Sequence, residues 1–135
     1  MRWELFWLLV FLQIAITYPS FRATCEAREG WVRAGFIYGI HHLLDVFLFW
    51  SLFFLTAAAE FRTHFWLAIL IVGHWFTYGN KCIITVDMNR QCGYPEERWL
   101  DSLKNRLGLR SLTEWFHFWW VGLLCVWDVW NGALN

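Results

Sequence analysis

The chain has 135 residues, 59% hydrophobic and 16% charged, with zero formal net charge. Globular domains are about half apolar and a quarter charged, so the bias points to lipid as the solvent, while the intermixed basic and acidic residues exclude an extended nucleic-acid surface. Long apolar runs with short charged breaks predict one all-α domain over residues 1–135, a polytopic integral membrane protein built as a four-helix transmembrane bundle.

The first span is predicted from about Trp3 to Tyr18. Met1-Arg2 before an apolar run resembles a secretory signal, but Pro19, Phe21 and Arg22 spoil the small-residue cleavage pattern, so a retained helix is expected. Pro19 is expected to close it, having no N–H to continue the ladder. Such a span reaches only about 24 Å and calls for interfacial anchors or a thin bilayer.

The second span, about Ala34 to Ala59, carries His41, His42 and Asp45. At about 100° per residue these three share a narrow stripe with Tyr38 and Thr56. Ionisable groups within a span normally face the bundle, and Asp45, near the midplane, is expected to pair with His41 one turn earlier. The third span, about Phe65 to Gly79, brings His74 to a similar depth, while His64 falls at the interface. The fourth, about Leu112 to Trp130, adds His117 and Asp128, and Ser111 to Glu114 fits a capping box at its start. Between them, about Pro95 to Leu107 reads as an amphipathic interfacial helix, with Trp99, Leu100, Leu103 and Leu107 on one face.

These spans predict an interior site of His41, His42, Asp45, His74 and His117, with Tyr38 and Cys82 near its mouth. Such a cluster can cross-link helices by hydrogen bonds, ligate haem or a metal, or serve a quinone, a pigment or a proton relay. No HExxH, ExxH or CxxCH pattern selects among these.

Of the twelve tryptophans, Trp3, Trp7, Trp31, Trp66, Trp99, Trp115 and Trp130 fall near span ends as an aromatic belt. Trp50, Trp75, Trp119, Trp120 and Trp127 lie deeper and must meet a helix, lipid or a bound ring. Nine Lys and Arg fall in the two loops on one side, against Arg2 and Arg62 on the other. The positive-inside rule then places the basic loops on the cytoplasmic or equivalent face and both termini opposite. On a reducing face Cys25, Cys82 and Cys92 would be free thiols; on an oxidising one Cys82 and Cys92, or Cys25 with either, could pair.

His42-Leu43-Leu44 and the stretch GHWFTYGNKCIIT, Gly73 to Thr85, with Cys82-Ile83-Ile84-Thr85 as a Cys-x-x-Thr element, resemble a family of small bacterial inner-membrane proteins of unknown function. The similarity covers about His42 to Tyr94. The chain departs from that pattern in lacking a proline after the cysteine and in its tryptophan content. The resemblance implies a helical membrane architecture and no activity.

Two functions are consistent with these features. One is a non-catalytic accessory or assembly subunit, held in the bilayer against other membrane subunits or a second copy of itself. The other is a redox or proton-transfer protein with a haem, metal, pigment or quinone at the histidine cluster.

Overall fold

The computed structural model describes residues 1–79, 82–93 and 116–134. Among these residues the fold is wholly helical: α1 (Trp3–Cys25), α2 (Trp31–Trp50), a 3-10 turn (Ser51–Phe53), α3 (Ala58–Thr77), α4 (Ile83–Cys92) and α5 (Phe116–Trp130). The α1 helix, and α2 together with its 3-10 turn, are long and apolar enough to cross a membrane. The expected interfacial helix at 95–107 and the capping box at 111–114 lie outside the described residues.

The first helix corrects one expectation. It runs through Pro19 to Cys25 rather than stopping at Tyr18. An interior proline costs about 3 kcal/mol, and contacts on both sides of it hold the helix together. Before Pro19, Thr17 bonds to Tyr38 and His42. After it, Phe21 stacks on Tyr38 at 4.3 Å and Cys25 is joined covalently to Cys92. At 1.5 Å per residue the helix is about 35 Å long, so it requires no thinning of the bilayer.

The second span also ends earlier than expected, at Trp50. The terminal carbonyls of a buried helix need donors from elsewhere. Here His64 Nε2 of α3 donates to Leu48 O at 3.1 Å, and Trp120 Nε1 of α5 donates to Phe49 O at 2.9 Å. The chain then reverses, and α3 starts at Ala58, seven residues before the predicted Phe65. Glu60 in its first turn reaches back to accept the N–H groups of Thr56 and Ala57, and it pairs with the Met1 ammonium. Ala57 has no side-chain oxygen, so this is the carboxylate half of a capping box.

The fourth helix was not expected. Its inward face carries Thr85, Met88, Asn89 and Cys92, too polar a set to give an apolar period. It ends at Gly93, whose φ of 65° is the left-handed conformation that terminates many helices. The Arg28 guanidinium lies across this glycine, where a Cβ would come within 3.2 Å of it.

Packing places α2 at the centre, between α1 and α4, while α3 pairs with α5. One cluster joins Phe6 and Val10 to Val46, Phe54 and Phe61; a second joins Phe21 and Tyr38 to Met88; a third joins Leu48, Ala68, Trp75 and Val121. The Cys25–Cys92 disulfide fastens the end of α1 to the end of α4, and Cys82 and Cys125 are free. The simple reading of all cysteines as thiols is therefore corrected.

Candidate functional site

The polar stripe of α2 faces protein, but it divides between two neighbours. Towards α1, Gln13 Nε2 donates to Asp45 Oδ2 and to His42 Nδ1, the latter at 3.0 Å. His42 Nε2 lies 3.0 Å from Thr17 Oγ1. Thr17 gives its single hydroxyl hydrogen to the Gln13 carbonyl at 2.8 Å, so its oxygen accepts from both His42 Nε2–H and the Tyr38 hydroxyl. One proton arrangement therefore satisfies the network, with His42 neutral and protonated on Nε2. The expected partner of Asp45, His41, is replaced by an amide from another helix.

Towards α4, His41 Nε2 lies 3.0 Å from Thr85 Oγ1. Cys82 is the N-cap of α4 and makes no side-chain capping hydrogen bond. Burial pushes the Cys82 thiol up, but the influence of the nearby His41 imidazole and of the N–H groups at the start of α4 outweighs it and brings it down to about 7.

The other predicted histidines stand apart. His74 stacks on Tyr78 at 4.4 Å, and His117 lies against Phe49 at 5.4 Å and Trp75 at 6.5 Å. His41 and His42 are neighbours, with ring centres 5.9 Å apart. The five predicted residues thus fall into three settings: His42 with Asp45, His41 with Thr85, and the aromatic surroundings of His74 and His117. Among the described residues, no three His, Cys, Asp or Glu side chains are placed to hold one metal ion.

A further pair was missed. His64, expected at the interface, is fully buried and bonds through Nδ1 to fully buried Asp128. A carbonyl only accepts, so Nε2 must carry the hydrogen given to Leu48 O. One more proton then lies between Nδ1 and Asp128, and the pair is neutral overall whichever partner holds it. The signal was the placement of His64 and Asp128 at the same end of antiparallel spans, hidden by starting the third span at Phe65, just past His64 and seven residues after the helix begins.

Outside this interior, a groove of about 660 Å³ runs between α2 and α4, walled by Ile37, Ile40, Ile83, Ile84 and Val86, with Tyr78, Asp87 and Arg90 also lining it. Arg33 bridges to Asp87 at 3.0 Å. Compared with protein-family models, curated proteins and solved structures, the chain matches none.

Proposed function

We propose that this protein is a non-catalytic, four-span membrane subunit that joins a larger membrane complex, or a second copy of itself, through the outward face of α5. In this reading α1, α2, α3 and α5 cross the bilayer, and α4 belongs to the connecting face. The observation that carries it is the division of α5 into two faces. Val121, Leu124 and Asp128 are buried within the chain, whereas Phe116, Trp119, Leu123, Val126 and Trp130 are between 55% and 85% exposed. Their spacing of three, four, three and four is the seam of a helix that packs lengthwise on another. Trp119 and Trp127 are exposed and available to such a partner, while Trp75 and Trp120 turn inward.

The interior supports the same reading. His42 and His64 have both ring nitrogens engaged by protein atoms, which suits cross-linking of helices. A relay from Tyr38 to Asp45 would have to pass through the Gln13 amide, which does not exchange protons as an imidazole or a carboxylate does. The alternative, a haem, metal, pigment or quinone site at His41, His42, Asp45, His74 and His117, would require these three settings to merge.

For orientation the two signals oppose each other. The charge count favours a cytoplasmic position for the basic loops, whereas Cys25–Cys92 favours an oxidising one. We place the disulfide face in the oxidising compartment, because a persistent disulfide requires an oxidant and charge only biases insertion.

Native mass measurement after extraction in mild detergent tests the proposal. A complex larger than one chain is expected, lost on Leu123→Ser with Val126→Ser while the melting temperature holds. A monomeric protein with a Soret band, pigment absorption or stoichiometric metal would overturn it in favour of the alternative.

A further inference from the structure

We propose that the groove between α2 and α4 holds one phospholipid with an anionic headgroup, an acyl chain against its isoleucines and the phosphate on Arg90. The inference rests on the reading that α2 crosses the bilayer and does not depend on the α5 seam.

The groove has a direction. Its apolar walls are Ile37 and Ile40 of α2 with Ile83, Ile84 and Val86 of α4, whereas Asp87 and Arg90 line it further along α4. Three contacts fix how the two helices run. Thr85 meets His41 at 3.0 Å, Asp87 meets Arg33 at 3.0 Å, and Gln91 lies against Gly30, the N-cap of α2. The α4 helix is therefore antiparallel to the first half of α2, with Arg90 level with the start of that span and Ile83 near the depth of His41.

Length gives the groove its match in the bilayer. Ten residues rising about 1.5 Å each make α4 about 15 Å long, half of a hydrocarbon core of about 30 Å. The groove is one leaflet deep. Trp31, exposed at the start of α2, marks the headgroup level, where indoles gather, and below it the lining turns from charged to aliphatic as a phospholipid does. Ile83 is half exposed, so the groove is open to a chain entering from the side.

Charge selects the headgroup. Among the described residues near this end, Arg28, Arg33 and Arg90 stand against the carboxylates of Glu29 and Asp87. Arg28 lies across Gly93 just past α4, and Asp87 is engaged by Arg33. One positive charge in excess favours a headgroup of net negative charge over a zwitterion, and a guanidinium offers paired N–H groups to phosphate oxygens. The Arg90 side chain is exposed, and its methylene stem can follow the groove wall while its head stays at the surface.

The intact chain in mild detergent serves for the test. Dioleoyl phosphatidylglycerol and dioleoyl phosphatidylcholine are matched probes, glycerophosphoglycerol is the headgroup without chains, and native mass spectrometry counts molecules bound per chain. One phosphatidylglycerol is expected, bound more tightly than phosphatidylcholine by a margin that shrinks with salt. Arg90→Gln should weaken phosphatidylglycerol roughly fivefold and leave phosphatidylcholine nearly unchanged, while Ile37→Trp should displace both by filling the groove. A phosphatidylglycerol carrying a diazirine midway along one chain should label the peptides that contain Ile37 and Ile40 or Ile83 to Val86.

Equal binding of the two lipids, unchanged phosphatidylglycerol binding in either variant, or labelling confined to α1 or α5 would each overturn the proposal. So would competition by glycerophosphoglycerol at equal concentration, which would mark a site for free phosphate esters. The headgroup preference and labelling of the wild-type chain decide even if a variant does not fold. Alkaline carbonate extraction tests the underlying reading separately: release from the membrane removes the α2 span, whereas retention without lipid preference sinks the groove alone.

Discussion

His64 and Asp128, far apart in sequence on α3 and α5, meet in the interior with neither side chain exposed to solvent. Their hydrogen bond joins α3 to α5, and the opposite edge of the same imidazole joins both to the end of α2. Removing one member should therefore cost more than replacing it by a shape-matched amide. Asp128→Asn should lower stability by about 1 kcal/mol or less, since an amide N–H can still reach Nδ1, whereas His64→Ala should cost about 3–5 kcal/mol by leaving a buried acid unpaired. Thermal unfolding in detergent measures both, and equal losses would show that the pair is not what holds these helices.

Gln13 governs a second comparison. Asp45→Asn keeps an oxygen for the Gln13 N–H and should be nearly silent. Gln13→Leu strips donors from both Asp45 and His42 Nδ1 and should destabilise by about 1–3 kcal/mol. A double-mutant cycle across the two positions reads the coupling, and a coupling of zero would dismiss the contact.

The disulfide predicts a thiol count. Unfolding without reductant should expose two reactive thiols, Cys82 and Cys125, and with reductant four. Closing a segment with ends 67 residues apart restrains the unfolded chain enough that Cys25→Ser should cost about 4 kcal/mol on the chain-entropy account. Four thiols without reductant would remove both this prediction and the oxidising placement of that face.

Glu60, in the first turn of α3 ahead of the apolar run, predicts an acid-sensitive contact. Burial pushes its carboxyl up, but the Met1 ammonium and the N–H groups of Thr56 and Ala57 prevail and hold it at about 2, against 4.5 for the free side chain. A depressed folded value stabilises above the unfolded one, so the contribution is complete above about pH 5 and is lost as the pH falls from 4.5 through 2. Glu60→Gln should abolish this part of the acid transition. An identical acid limb in both proteins would refute it.

Helix periodicity made the polar face of α2 legible, because three ionisable residues within one apolar run could only share a stripe. Their partners were not legible. Gln13 and Thr17 carry no charge and lie in an apolar run, so nothing marked them, although they satisfy His42 and Asp45. Pro19 misled because its local cost was visible and the tertiary contacts on either side were not. His64 was misplaced because hydropathy begins a span where charge stops, while the helix itself begins about two turns earlier, at Ala58, its end closed by Glu60 of the first turn. Cysteine pairing depends on which ends meet in space, and α4, with Asn89 and Thr85 facing inward, offered no period from which to infer that meeting.

The way α2 ends has a consequence for biogenesis. Its last carbonyls are closed by His64 and Trp120, side chains that emerge from the ribosome after α2 itself, Trp120 some seventy residues later. Until α5 arrives, the Phe49 carbonyl at the end of α2 lacks the Trp120 N–H that meets it in the folded chain. The chain thus withholds completion of an early helix until a much later one has docked.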